Sequence, residues 1–545
     1  MKTLKYLASI ILLGAFLHSC NMKTKADLIG INGVVYTVDS AFSIAEAFAV
    51  KDGKFIYVGS TKDVLDKYSS SAMVDFEGKA VYPGLIDAHC HLLELGQNLM
   101  SADLKGCRSL EEVVERVKDF HEKHPNLDLI TGAGWDQNLW PDKKMPDNAL
   151  LNEAFPDIPV SLSRIDGHAV LANDAAIRFM GLDEADKNLD KGECRMSNGR
   201  FTGIFMENMC VRFKTDLNPV KADSLGSTLL EAQKECFRYG LTSVCDAELE
   251  YGTLQALLSL AEDGRLVLKV DAWPLPTEEN FEKVSKPFTF KNVKVDTYKL
   301  YRDGALGSRG SLLKEDYSDM PGHKGLEFYA YDRFRKYCQW CYDHGFRVAT
   351  HCIGDGAVSS ALDVYEEILK GENSLGWRIE HAQTVADEDL HRFRQYSVIP
   401  SVQPTHCTSD MFWAKERLGG RIRTAYRYKD LLGQLGWLPS GTDFPIESVN
   451  PIYTFFAAVF RKNLEFKPEE GFQMENALSK EEAFRSMTIW AAKSTGEDAS
   501  KGSIEPGKAA DFITTDIDFF TADEKKVPDT RVTGTWVNGL SVYSM

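Results

Sequence analysis

Two histidines two residues apart, His89 and His91, close an apolar, β-branched run in VYPGLIDAHCHL, Val81 to Leu92. In a strand, residues i and i+2 project to the same side. Both imidazoles therefore leave the strand end together, with Cys90 facing the other way. Paired imidazoles of this kind are half of a divalent-metal site. A His-x-His by itself is also the pattern of a solvated or capped pair, so its meaning depends on what else the chain brings to it. Polar side chains of metal-binding type recur near the ends of other apolar stretches: Lys299 in VDTYKLY, His351 in FRVATH, His381 in WRIEH and Asp443 in WLPSGTD.

Residues so far apart in sequence meet only if the elements carrying them converge. Candidate strands fall at 81–89, 241–247, 266–273, 295–301, 346–351, 377–381, 397–403 and 437–443, mostly separated by helix-length segments such as AVSSALDVYEEILKG. Eight strands alternating with helices predict an α/β fold built on a (β/α)8 TIM barrel, in which the C-terminal strand ends share one face. Residues of about 100–225 break the alternation between the first and second strands and predict an inserted lobe, placed as a lid or substrate wall. The hairpin-rich texture of 21–80, with Asn-Gly, Asp-Gly and Glu-Gly turns, returns in 496–545. Neither half has enough strands to bury a face alone, so the two chain ends are expected to complete one small β-sandwich around a barrel spanning 81–495.

The chain has 545 residues and a net charge of −17, which argues against nucleic acid as a partner. Residues 1–20 form a separate unit. Lys2 and Lys5 precede the apolar run LASIILLGAF, which ends in Leu17-His18-Ser19-Cys20. This is a signal-peptide core, too short for a membrane-spanning helix. Its ending resembles a bacterial lipobox with Cys20 as the lipid-modified residue, so the expected location is the cell envelope, with membrane contact only through that anchor. The eleven cysteines show no regular spacing from which to read a disulfide framework. Cys338 and Cys341 share a helical face rather than form a redox motif, and Cys352, beside His351, is expected to face away from the site.

The ordered motifs PGLIDAHCHL, GAGWDQNLW, RIDGHA, YKLYRDGALGSR, THCIGDGAV, RIEHAQ, SVQPTH, GTDFPIESVNP and KGSIEPGKAADF resemble those of the amidohydrolase superfamily. Within it they resemble the YtcJ-like group that includes N-substituted formamide deformylase. The resemblance implies one ion, expected to be Zn2+, on His89, His91 and Asp443, a second on His351 and His381, and Lys299 between them as a carbamate. If Lys299 instead pairs with Asp303 as an ordinary strand-end lysine, one ion remains. Asp443 is then the proton shuttle beside a metal-activated hydroxide. His168 and His406 match family motifs and are candidates for binding the substrate, with Arg164 close in sequence. Trp135, Asp136 and Trp140 are candidates for shaping the pocket. Two positions depart from the pattern or compete with it. Gly356 stands where relatives commonly carry a larger residue, and Cys245 stands where one related group has a cysteine ligand, although a buried cysteine more often packs as a small apolar group.

The resulting expectation is a metal-dependent hydrolase that cleaves a carbon–nitrogen bond of a small amide. A deaminase or esterase on the same scaffold and a catalytically silent nutrient-binding lipoprotein are the alternatives. The sequence leaves the substrate and a homodimeric assembly open.

Overall fold

A computed structural model describes residues 23–164, 169–183, 194–206, 209–210, 212–213, 217 and 222–545. His168 and Cys20 lie outside the described residues. The chain divides into two compact units, one made of residues up to Cys90, Cys236–Asp246 and Val267–Met545, the other of His91–Glu235 and Ala247–Leu266.

The first unit carries short, buried, mostly parallel strands: β1 (Leu85–Cys90), β2 (Leu241–Leu249, whose last three residues belong to the second unit), β3 (Lys269–Pro274), β4 (Thr297–Tyr301), β5 (Arg347–Cys352), β6 (Arg378–His381) and β7 (Ile399–Ser401). They lie in two sheets. One has the order β1-β2-β3 followed by Val293–Val295 and Phe288–Phe290, and the other has the order β4-β5-β6-β7, parallel throughout. Strands buried on both faces favour apolar and β-branched residues, and helices must cover the outer face. On β1 the alternation is plain: Ile86 and Ala88 pack on Ala491 and Ala492 of the helix Ile489–Ser494, while Asp87 and His89 take the opposite side. The helix Asp355–Leu369, between β5 and β6, buries Ala357, Val358, Ala361, Leu362, Tyr365 and Ile368 at helical spacing.

Two expected strands differ. The fourth is interrupted, with Val293–Val295 and Thr297–Tyr301 separated by Asp296, whose carboxylate accepts from Lys294 at 2.8 Å and Arg347 at 3.1 Å. The eighth, 437–443, is not a strand. It forms one parallel bridge, Val402 to Ser440, and a few backbone hydrogen bonds: Val402 N to Pro439 O, Gly441 N to Val402 O, Ala88 N to Ser440 O and Asp443 N to His89 O. Pro439 has no N–H to donate, the Thr442 amide goes to the Asp87 carboxylate, and Asp443 turns into the left-handed region at φ 61°, so a ladder cannot propagate.

Both chain ends contribute to a six-stranded sheet ordered Leu540–Ser544, Val532–Val537, Phe512–Thr515, Ala80–Pro83, Val34–Tyr36 and Ile44–Ala45. A four-stranded sheet of Lys54–Gly59, Ala47–Lys51, Leu28–Ile31 and Met73–Asp75 shares with it an apolar cluster that includes Phe48, Phe55, Phe76, Val81 and Phe512. The Asp52-Gly53 and Asn538-Gly539 turns have φ of 50° and 73°, and 51° and 76°, which matches the twist of a tight hairpin.

The second unit has its own six-stranded sheet, in which Ala102–Asp103, Ile130–Trp135 and Val160–Arg164 run parallel and Ala169–Ala172 and Arg200–Met206 antiparallel. The helix Leu110–Lys123 begins at Ser109, whose hydroxyl accepts from the Glu112 amide, and buries Val113, Val114 and Val117. The unit extends past the expected lobe and includes the helix Tyr251–Glu262. Among the described residues, no helix is long and apolar enough to cross a membrane.

Gly441 marks the tightest approach between β1 and the eighth segment: a Cβ there would stand 2.5 Å from His89 N and 2.6 Å from Asp87 Oδ1. Gly441→Ala is expected to destabilise the protein by about 1–3 kcal/mol through overpacking against backbone. A lowered denaturation midpoint checks this, and an unchanged midpoint would contradict it.

Candidate metal centre

The C-terminal ends of β1, β4, β5 and β6 and the eighth segment bring their polar side chains together. Nε2 of His89 lies 2.9 Å from Nζ of Lys299 and 3.6 Å from Oδ1 of Asp443. The His381 ring is centred 5.0 Å from His89 and 4.5 Å from His351. Nε2 of His406 lies 3.0 Å from Oδ2 of Asp443, and His381, His406 and Asp443 each offer a ligand atom within 4.8 Å of the other two. Lys299 is 1 % exposed, His89 is fully buried and Asp443 is 6 % exposed.

His91 opens the second unit as the N-cap of the helix Leu92–Leu99, with Nδ1 3.4 Å from Oε2 of Glu248. Cys90 is buried and donates to the Cys245 carbonyl, so it packs against the neighbouring strand.

Two of the histidines, His89 and His381, are oriented by a side-chain partner. The Nδ1–H of His89 donates to Oε2 of Glu380 at 2.6 Å, and Glu380 is held by Arg378, which also donates to Ser494, Ala88 O and Ser401 and lies over the Trp273 ring. Burial alone would raise the Glu380 carboxyl; Arg378 and His89 outweigh it and hold it down at about 2. His381 Nδ1 faces the Gln403 side-chain oxygen at 2.8 Å. Such partners fix the tautomer and turn the other ring nitrogen inward. His351 differs, because among the described residues its buried Nε2 has no hydrogen-bond partner and Asp303 Oδ1 lies 3.6 Å away, beyond hydrogen-bond reach.

Burial is the largest influence on the three imidazoles and Lys299 adds to it, pushing His89 to about 4, His351 to about 3 and His381 well below its usual range. They are therefore neutral, with lone pairs available, which is the form a cation requires. His406 moves the other way: burial pushes it down, but hydrogen bonds to Asp443 and Glu447 outweigh this and raise it to about 10.

These features fit a metal ion on an observation independent of resemblance, namely neutral buried imidazoles, one with an unpartnered nitrogen, beside a carboxylate. Asp303 accepts from the amides of Leu312, Ile353 and Gly354 at 2.7–3.0 Å and organises the loops after β4 and β5.

The second unit redefines other candidates. Trp135, fully buried, donates to Leu162 O, and Trp140 donates to Cys107 O; both belong to the core of that unit rather than to a surface that could meet substrate. Arg164 and Asp136 pair with each other at 3.3 Å. Cys245 is fully buried and its thiol is pushed well up by burial, disfavouring the thiolate needed for ligation. Gly356 abuts Leu312 O, which a Cβ would approach to 3.0 Å, so a larger side chain would have to displace that backbone. Cys338, Cys341 and Cys352 are buried free thiols.

Sequence reasoning missed Glu380, Arg378, Gln403 and Asp87. The available signal was charge inside an apolar strand: Arg378 and Glu380 are two residues apart in WRIEH, where only a buried pairing makes both tolerable.

An α/β scaffold with this donor set at parallel strand ends defines a metal-dependent hydrolase. Residues 72–543 match the amidohydrolase family, and the chain belongs to it. It is 28% identical over 529 residues to the putative amidohydrolase YtcJ of Bacillus subtilis, covering 94% of this chain and 98% of that one. It is 23% identical over 545 residues to an N-substituted formamide deformylase of Arthrobacter pascens, covering 96% and 99%. The crystal structure of an uncharacterized metal-dependent hydrolase from Pyrococcus horikoshii OT3 superposes with a TM-score of 0.75 at 31% identity, covering 91% of this chain and 99% of that one.

Glu380→Gln weakens the acceptor that orients His89. Metal affinity is expected to fall about 10–100-fold, measured by competition with a chromophoric chelator; an unchanged affinity would show that Glu380 serves only packing.

Proposed function

We propose that the protein hydrolyses a carbon–nitrogen bond of the amide type in a small molecule. The observation that carries the reading is the gathering of His89, Lys299, His351, His381 and Asp443 in one buried site, with the histidines neutral. The deformylase relative supports the choice of bond. In this reading the parallel strands of the two sheets are the halves of one (β/α)8 barrel. Asp296 alone separates the strand joining the first sheet from β4, and the eighth segment hydrogen-bonds to β1 and to Val402, the residue after β7.

The residues that would hold ions are His89 and Asp443 on one side and His351 and His381 on the other. Lys299 as a carbamate would offer two anionic oxygens in place of an ammonium that repels cations. A divalent ion, proposed as Zn2+, acidifies a coordinated water and polarises a carbonyl.

The protein's own groups supply the remainder. Asp443 accepts the water proton at a carboxylate oxygen as the nucleophile adds to the carbonyl carbon, and releases it to the departing nitrogen as the carbon–nitrogen bond breaks. Glu380 and Gln403 keep His89 and His381 from rotating during that cycle. The sequence run before Cys20 supports a further proposal, that a lipid on that residue tethers the enzyme to a bacterial envelope.

Asp443→Asn removes the proton carrier but keeps the shape. Turnover of N-formyl and N-acetyl amides by metal-replete enzyme is expected to fall about 10²–10⁴-fold, with the denaturation midpoint retained. Full activity in this variant would refute the assigned role. Purified protein that holds only trace metal and hydrolyses amides unaffected by chelator would refute the metal-dependent reading.

A further inference from the structure

Asp443 and Glu447 grip opposite nitrogens of one imidazole. Oδ2 of Asp443 lies 3.0 Å from Nε2 of His406, and Oε1 of Glu447 lies 3.2 Å from its Nδ1. The two carboxylates come from one short segment, in which the Ile446 amide donates to the Asp443 carbonyl at 2.9 Å to form a turn. Glu447 is itself held, since Ser409 donates to the same Oε1 at 2.6 Å. His406 and Ser409 are three residues apart on the helix Pro404–Asp410 and so share a face. The result is a closed circuit of side chains joining the helix after β7 to the turn that bears Asp443.

This circuit bears on the chemistry because the terminal torsion of an aspartate is broad and two-fold. Left to itself, the Asp443 carboxylate could exchange its oxygens or swing away from the site. Its Oδ1 lies 3.6 Å from Nε2 of His89, while Oδ2 is taken by His406. An imidazole fixed at both nitrogens cannot follow the carboxylate if it rotates.

We propose that Glu447 is a positioning residue for the hydrolytic reaction: by anchoring His406 it fixes the rotation of the Asp443 carboxylate, one oxygen toward His89 and the other held apart from it. His406 thereby serves Asp443 rather than the substrate. The inference rests on the reading of Asp443 as the proton carrier. A glutamine at 447 keeps an oxygen that can accept from Nδ1–H, whereas an alanine keeps none.

Steady-state kinetics of metal-loaded Glu447→Ala and Glu447→Gln test it. The alanine variant is expected to lose about 10–100-fold in kcat, with KM changed less than about twofold and metal content intact, and the glutamine variant to recover most of the loss. Wild-type kcat in the alanine variant, or a glutamine variant as slow as the alanine one, would overturn the proposal. Should Glu447→Ala fail to fold, Ser409→Ala releases the same carboxylate from an exposed position and is expected to lower kcat without raising KM; unchanged kcat would count against the idea. Crystal structures of metal-loaded wild type and Glu447→Gln and Glu447→Ala supply a readout independent of turnover. The His406–Asp443 contact is expected to open beyond hydrogen-bond distance only in the alanine variant, and its persistence there would overturn the proposal. If wild type cleaves no amide, the proposed function fails, while this comparison still decides the role of Glu447.

Discussion

A carboxylate sealed from water, Glu380, sits between a guanidinium and an imidazole, and the candidate centre depends on that arrangement. Taking such charges out of water costs several kcal/mol each, offset only when geometry and additional hydrogen bonds are good. Here Arg378 meets those terms by contacting Glu380, Ser494, Ser401 and a backbone carbonyl on β1. The interaction therefore does more than neutralise a charge. It ties β6, β7 and the helix Ile489–Ser494 to β1 and sets the angle of the His89 ring. Removing one member would leave the others as buried charges without compensation, which is why the three behave as a unit.

Around this unit the three histidines are kept neutral by burial, while Glu380 is kept ionised by Arg378 and His89. The same low-dielectric surroundings act in opposite directions on bases and acids, and the pairings decide the outcome. Asp303 shows the limit: three amides hold it down, but burial prevails and it stands at about 7. The site thus joins lone-pair donors at the ends of parallel-paired strands with a carboxylate on the turn that follows the eighth segment's few backbone hydrogen bonds.

The alternation of strands and helices was legible in the sequence because apolar runs of four to six residues and helices buried on one face leave strong periodic signals. His89, Lys299, His351, His381 and Asp443 were visible for the same reason, as polar residues closing such runs. The eighth segment was misread as a strand, since its apolar start conceals Pro439, the close approach at Gly441 and the left-handed Asp443. Glu380, Gln403 and Glu447 were illegible because their roles depend on contacts with partners 291, 22 and 41 residues away. Trp135 stood out by type, and type alone does not distinguish a pocket wall from a core.

Asp87 holds both ends of the centre, accepting from the His89 amide on its own strand and from the amide and hydroxyl of Thr442, 355 residues later. A ribosome adding about 5–20 residues per second needs on the order of 20–70 s to cover that interval. Throughout it the first histidines are already synthesised and must wait without their aspartate. The strand Ala80–Pro83 waits longer still, because its neighbour Phe512–Thr515 lies near the chain's end. The order of synthesis therefore makes assembly of the centre a late event: a chain stopped short of residue 443 would carry metal-seeking side chains without the enclosure that gives them a purpose.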